Sequence, residues 1–228
     1  MEEGAIVIDL PEVLDRVDTF LHQGKRKALV KLLREKGFSN ERVLDAIHKV
    51  PRHAFLDSAF LNQAYMDEAF PIGEGQTISH PSTVVQQTDI LQIKKGDKVL
   101  EIGTGCGYQT AVLLELGARV FTIERQLKLY EKAKVLLPKL GYHAKMFYGD
   151  GYLGLPAFAP FNKIIVTAGA PYPPDELLRQ LEIGGIMVIP IGKGAEHTMH
   201  IITRKDGTVF DRTEIGKFKF VPLLKNKS

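Results

Sequence analysis

The stretch KVLEIGTGCGY, residues 98–108, decides the fold. Val99, Leu100 and Ile102 form a short apolar run that predicts a buried strand. The run passes Glu101 and enters three glycines at alternate positions, Gly103, Gly105 and Gly107. Residues 109–116, QTAVLLEL, follow with helix formers and apolar spacing at Val112, Leu113 and Leu116. Strand, glycine turn and helix in this order make a ligand crevice at the carboxyl end of a strand in an α/β sheet.

The glycine spacing narrows the choice of ligand. A dinucleotide fingerprint beginning at Gly103 and Gly105 needs a third glycine at position 108, where helix and strand pack closely. Tyr108 stands there instead. The E-x-G-x-G-x-G run resembles that of S-adenosylmethionine-dependent methyltransferases. Their cofactor has no pyrophosphate, so the loop needs only close backbone approach to a methionine and a ribose.

Downstream, strands and helices alternate. Residues 119–123 predict a second strand ending at Glu124, and 126–140 a helix with Tyr130, Ala133, Leu136 and Leu137 inward. A third strand, 144–148, ends in Gly149-Asp150-Gly151. The fourth, 163–168 (KIIVTA), is nearly all apolar, as a parallel strand buried on both faces should be. A short helix over 175–181, a fifth strand over 186–190 and a late hairpin of 199–203 with 209–210 complete the pattern. The expected fold is α/β: a Rossmann-like, doubly wound, mostly parallel sheet with helices on both faces.

Upstream, residues 11–50 read as helices. Pro11 suits a first turn, and Val13, Leu14, Val17, Phe20 and Leu21 make one apolar stripe. Ser39 or Asn40 can cap a second helix that stops before Pro51. Residues 51–65 are irregular, with His53 a turn histidine beside Arg52. Residues 70–81, FPIGEGQTISHP, read as a loop rich in Gly, Thr and Ser, and Ser79 leads into a helix over 82–93. The organisation expected is an N-terminal helical segment, 1–75, packed on a cofactor-binding domain, 76–228.

Bulk properties limit the function classes. The chain has 228 residues, 44% hydrophobic and 25% charged, with a net charge of +3, too small to imply nucleic acid. Four lysines near the end, Lys217, Lys219, Lys225 and Lys227, read as a solvated tail. A single cysteine, Cys106, fits a reducing compartment. The acidic start MEEG reads as no signal peptide, and no run reaches the roughly 20 apolar residues of a membrane span. A cytoplasmic monomer without nucleic-acid or membrane partners is the expectation.

Acidic residues gather at the strand ends. Glu124, about 20 residues after the first loop glycine, can accept both hydroxyls of a ribose. Asp150 can accept from an adenine amino group, and Glu101 can face the ammonium of a methionine moiety. Three carboxylates around one cleft suit a cationic sulfonium and repel a pyrophosphate. Cys106 lies inside the glycine turn and reads as a small residue beside the cofactor rather than a nucleophile. His197 and His200 lie three apart in a strand-like stretch and so face opposite sides, which argues against a metal site.

With these residues in hand, the chain closely resembles the protein-L-isoaspartate O-methyltransferases. The matching stretches are VPRHAF (50–55), AYMDEAFPIGEGQTISHP (64–81), VLEIGTGCGYQTAVL (99–113), GDGYLGLPAFAPF (149–161), IIVTAGAP (164–171), LLRQLEIGGIMVIPIG (177–192) and FVPL (220–223). The G-Q-T-I-S-x-P loop is specific to that family, whereas the glycine loop marks only the wider class.

The resemblance implies that Ser79 is the active-site serine, and that Thr77 and Ile78 line the active site beside it as cofactor-binding residues. It implies that Glu101, Gly103, Thr104, Gly105, Gly107, Glu124, Arg125, Asp150 and Gly151 hold S-adenosyl-L-methionine, with S-adenosyl-L-homocysteine the product. No metal is implied. The substrates implied are peptides and proteins carrying L-isoaspartate, methylated on the free α-carboxyl and returned toward aspartate through a succinimide. His80, Cys106 and Asn162 depart from common family residues, and none of the three removes a group the chemistry needs. The rivals are a methyltransferase acting on RNA or a small molecule, a non-catalytic cofactor binder and, more distantly, a nicotinamide dehydrogenase.

Overall fold

The computed structural model describes residues 18–194 and 196–228. A seven-stranded sheet forms the centre, in the order β5-β4-β3-β6-β7-β8-β9. Here β3 is Lys98–Ile102, β4 Arg119–Glu124, β5 Lys145–Tyr148, β6 Phe161–Val166, β7 Leu181–Ile191, β8 His197–Arg204 and β9 Phe210–Phe218. Neighbours from β5 to β7 pair parallel, and β7–β8 and β8–β9 pair antiparallel. The chain leaves β3 toward β4 and β5, then returns to its other side for β6 and β7. That reversal opens a crevice at the carboxyl ends of β3 and β6.

Strand period fixes the two faces. Val99, Val120, Ile165 and Val188 point to one core, and Leu100, Ile102, Phe121, Ile164 and Met187 to the other. The first core is covered by α1 (Phe20–Glu35), α2 (Glu41–Lys49), α3 (Pro81–Leu91), α4 (Tyr108–Glu115) and α5 (Leu127–Lys139). Among the described residues the second is covered by α6 (Asp175–Gln180), the stretch from Tyr152 to Ala159 with its turn Pro156–Phe158, and residues near Leu223. Helices therefore lie on both faces, unevenly. Helix α4 is apolar almost all round because it is wedged between the sheet and the N-terminal helices, and residues 108–113 are all buried.

Several sequence expectations change in detail. Residues 70–78 are a hairpin, not a loop: β1 (Phe70–Gly73) pairs antiparallel with β2 (Gln76–Ile78). Glu74 and Gly75 both have positive φ at its tip, the backbone that a tight two-residue turn demands. The expected division at 75/76 falls in this turn. The apolar stripe expected from residue 13 lies outside the described residues up to Val17, and Phe20 is 91% exposed. Thr19 caps α1 instead, accepting from the His22 N–H. Asn40 rather than Ser39 caps α2, and Leu129, not Tyr130, turns inward on α5. Strand β7 begins at Leu181, five residues before the expected start, across a register shift against β6.

Asn162 gains a role from its amide. Its side chain accepts from the Lys98 N–H at the start of β3 and donates to Glu182, which a carboxylate there could not do.

The tail is not simply solvated. The Gly169 N–H donates to the Val221 carbonyl, the Leu223 N–H donates to the Gly169 carbonyl, and the Ser228 N–H donates to the Arg125 carbonyl. Lys225 and Lys227 rest over the rings of Tyr152 and Tyr148.

Candidate active site

The crevice at the ends of β3 and β6 encloses about 830 Å³, open mouth included. Its glycine loop is stitched to the neighbouring strands. The N–H groups of Gly103 and Thr104 donate to the Ile123 carbonyl, and Thr167 Oγ1 lies 2.8 Å from the Gly103 carbonyl and 3.0 Å from that of Ile102. Gly103 has φ +95°, and a Cβ there would meet Thr167 Oγ1 at 2.4 Å. A Cβ on Gly151, across the floor, would meet Ile102 Cγ2 at 2.4 Å. Both positions need glycine because Thr167 and Ile102 already occupy the space a Cβ would take, which leaves bare backbone at the cleft.

Glu124 is 5% exposed at the end of β4 and lines the cleft. Its Oε2 accepts from the Gly105 N–H and its Oε1 from the Gln126 N–H, both at 2.8 Å. The carboxylate is thereby held against the glycine loop, with a second lone pair on each oxygen for a ligand diol.

Glu101 is wholly buried and stands behind the lining, with Thr110 Oγ1 donating to its Oε2 at 2.5 Å. Burial pushes its carboxyl up to about 7, against the pull of hydrogen bonds from Thr110 and Thr122. Thr104 and Thr122 hydroxyls join at 2.6 Å above it.

Thr77, Ile78, Ser79, Gly103, Thr104, Gly105, Glu124, Arg125 and Gly151 all line the cleft. Glu101, Gly107 and Asp150 stand outside the lining. Gly107 faces Leu137 of α5, which a Cβ would meet at 3.0 Å. Asp150 accepts from the N–H groups of Tyr152 and Asn226, so the returning tail caps its carboxylate.

Sequence reasoning missed Thr167 and the segment 221–224, which also line the cleft. Thr167 sat at the end of a predicted strand, a position that could have flagged it. The segment 221–224 carried no signal beyond the family motif.

Ser79 lies at a junction. Thr77, Ser79, Thr167 and Val221 line both the crevice and a shallow recess of about 300 Å³, open mouth included, walled by Ala69, His80, Thr83, Lys219 and Phe220.

Cys106 is half-buried in the loop, and burial pushes its thiol up to about 11, so it is not a nucleophile at neutral pH.

Three histidine settings lie outside the cleft lining. His197 packs against Gly169 and Phe220, while His200 engages Arg212 and Glu214, so the two have no common ligand position. His53 sits in its turn but wholly buried, with Nδ1 2.6 Å from the Tyr65 hydroxyl and its ring stacked on His22 at 3.8 Å. Asp18, His22 and His53 bring donor atoms within 4.8 Å of one another. Both Asp18 oxygens, however, already hold the Arg26 guanidinium at 2.8 Å, so the cation of that cluster is an arginine.

Comparison with known proteins gives the family of the chain. The sequence profile described as "Protein-L-isoaspartate(D-aspartate) O-methyltransferase (PCMT)" matches residues 24–228. A protein-L-isoaspartate O-methyltransferase of Flavobacterium psychrophilum is 58% identical over 212 residues, 92% of this chain and 99% of that protein. One from Dictyoglomus turgidum is 50% identical over 87% of this chain and 90% of its own length.

Among solved structures, a protein-L-isoaspartate O-methyltransferase superposes with a TM-score of 0.80 at 30% identity, over 88% of this chain and 66% of that longer one. A Plasmodium falciparum structure described as a complex with S-adenosyl-L-homocysteine shares the fold, at TM-score 0.77 and 23% identity, over 88% of this chain and 99% of that one.

Proposed function

We infer that this chain, which belongs to the protein-L-isoaspartate(D-aspartate) O-methyltransferase family, methylates the free α-carboxyl of L-isoaspartyl residues in peptides and proteins. The resulting ester closes to a succinimide, a route back to aspartate. The observation that carries this reading is the junction at Ser79, which lines both a recess without lining carboxylates, read as the acceptor side, and a crevice lined by Glu124, read as the cofactor side.

The residues fit S-adenosylmethionine. Gly103 and Gly151 let the loop and floor pack against Thr167 and Ile102 with bare backbone at the cleft, and Glu124, held by the Gly105 N–H, keeps lone pairs for a ribose diol. Thr104, Gly105 and Arg125 complete the lining, while Glu101, Gly107 and Asp150 shape it from behind. When bound, the cofactor supplies a methyl group activated on a cationic sulfonium.

The protein's share of the chemistry is alignment and dryness. A peptide α-carboxyl has a pKa near 3.5, roughly that of a chain terminus, so it is already an ionised nucleophile at neutral pH and needs no general base. We assign to Ser79 a hydrogen bond to that carboxylate or its flanking backbone, holding one oxygen in line. Thr167 fixes the loop backbone on the opposite side. Holding two reactants in this way can supply about 7–11 kcal/mol of barrier lowering.

We take residues 1–75 as a helical segment serving a catalytic domain of 76–228. We take the working form as a cytoplasmic monomer without nucleic-acid partners, in keeping with the net charge of +3. No helix of the described residues is long and apolar enough to cross a membrane.

The test is labelled methyl transfer to paired synthetic peptides with L-isoaspartate or L-aspartate at one site. Base-labile ester on the isoaspartyl peptide alone is expected. Cofactor binding without transfer to either peptide would sink the assignment, and incorporation into RNA instead would favour the rival acceptor class.

A further inference from the structure

We propose that Arg52 is a positioning residue for methyl transfer, a buried guanidinium that fixes the backbone at Ser79 against the Tyr108 wall of the cofactor crevice. The proposal rests on the acceptor role given to Ser79.

Arginine is almost never wholly buried without a charged partner, since a desolvated cation is costly to hold. Arg52 is 0% exposed, and its three hydrogen bonds all go to uncharged backbone carbonyls. Nε donates to Ala64 at 3.0 Å, and Nη2 donates to Glu68 at 3.0 Å and to Ser79 at 2.8 Å. The guanidinium carbon lies 4.9 Å from the centroid of the Tyr108 ring, and Tyr108 lines the crevice. One side chain thus ties the stretch 64–68 and the backbone at Ser79 to the first residue of the helix that follows the glycine loop. Only a planar fork of several donors can span such a set, and a lysine cannot.

The arrangement exceeds what packing requires. Nη1 and the Tyr108 hydroxyl are both buried and make no well-aligned hydrogen bond to any other described residue, so what each has is the other. A site chosen for stability alone would be filled by an apolar side chain of similar volume, which often stabilises relative to a buried ion.

The loop is also held at its other end. Asp67 Oδ1 accepts from the Ser82 N–H at 2.8 Å, while Lys36 pairs with Oδ2 at 2.5 Å. Residues 79–82 are therefore clamped at the Ser79 carbonyl and the Ser82 amide. Ser79, between the crevice and the recess, is the point whose placement those clamps set.

The experiment is a double-mutant cycle of Arg52→Lys and Ser79→Ala, with the transfer rate expressed per S-adenosylhomocysteine-binding site. Arg52→Lys keeps charge and most of the volume. It is expected to lower kcat about 10–100-fold, the scale of a misplacement near 1 Å, with S-adenosylhomocysteine affinity within about threefold. In the Ser79→Ala background the same change is expected to cost no more than about threefold further, as for residues acting as a unit.

Activity falling only in step with binding sites, at an unchanged rate per site, would mean that Arg52 merely supports the fold, and it overturns the proposal. So do additive effects in the cycle. Unchanged turnover in Ser79→Ala alone overturns the role of Ser79 itself, a failure separable from the other two. Should Arg52→Lys not fold, Asp67→Ala frees the opposite clamp. It is expected to show the same signature of slowed transfer with retained affinity, and full activity there overturns the clamp.

Discussion

The two walls of the cleft solve opposite electrostatic problems. The donor wall, at the ends of β3 and β4, is built from glycine backbone with Glu124 in its lining and Glu101 buried behind it. The acceptor wall, at the end of β2, is built from Thr77 and Ser79, with the Arg52 guanidinium behind it. The Glu124 carboxylate faces the place of a cationic donor, and the Arg52 guanidinium backs the place of an anionic acceptor. The buried groups also differ in how they tolerate burial. A carboxyl can take up a proton, as Glu101 does with its pKa near 7, whereas a guanidinium stays charged and must find carbonyls.

The largest effect expected on the donor wall comes from Gly103→Ala. The added Cβ meets Thr167 Oγ1 at 2.4 Å, and φ is +95°, so both side-chain relief and backbone relief move the loop. Thr167 cannot yield without giving up its bonds to the Ile102 and Gly103 carbonyls. Affinity for S-adenosylhomocysteine is expected to fall about 100-fold by calorimetry, the scale of a misplacement near 1 Å. The KM for isoaspartyl peptide, a property of the other wall, should shift far less. Equal losses on both sides would break the division of the cleft into two walls.

Next in size is the pH dependence written by Glu101. Its folded pKa is raised from 4.5 to about 7, so the fold prefers the neutral form. Below the unfolded value that preference costs nothing. As pH rises from about 4.5 to about 7 the unfolded chain ionises first, and stability is progressively lost, then levels off. Glu101→Gln removes the titration and keeps an acceptor for Thr110. The wild-type melting temperature should therefore decline relative to the variant between pH 5 and pH 8, by several degrees at the roughly 2–4 °C per kcal/mol of a chain this size. Parallel pH profiles would mean that Glu101 is ionised in the fold and that the donor wall carries its full charge without cofactor.

How much of this was legible in the sequence follows from the range of each interaction. The unit β3–loop–α4 was readable because its signals are local: apolar period, alternating glycines, helix formers. The hairpin of β8 and β9 announced itself through Asp206-Gly207 between apolar runs. Hairpin β1/β2 did not, because strands of four and three residues containing Pro71 and Gly73 carry no period. The true start of β7 was hidden by Gly184 and Gly185 at the register shift.

Site residues divide the same way. Glu124 could be placed from its strand end. The capping of Asp150 depends on Asn226, and the need for glycine at 103 depends on Thr167, contacts that no local pattern encodes. Arg52 was passed over for the same reason, since its carbonyl partners at 64, 68 and 79 carry no side-chain signal.

The smallest effect is expected at Cys106, and it sharpens what the donor wall is made of. The residue lies in the glycine loop between Gly105 and Gly107 and lines the cleft, so proximity alone would suggest chemistry. Burial, however, holds the thiol near 11, which leaves a thiolate fraction on the order of 10⁻⁴ at pH 7. The acceptor carboxylate is itself the nucleophile, and no step requires a second one. What the position requires is a small side chain, and serine meets that requirement. Cys106→Ser should keep turnover and S-adenosylhomocysteine affinity within about twofold, the range of substitutions away from special features. The wild-type thiol should react with iodoacetamide far more slowly at pH 7.5 than a free cysteine does, and more slowly still with the cofactor product bound. Rapid alkylation would place an ionised thiol on the wall that accommodates a sulfonium. A tenfold loss in the serine variant would show that the loop depends on sulfur itself, beyond a small side chain in a turn built mainly of backbone.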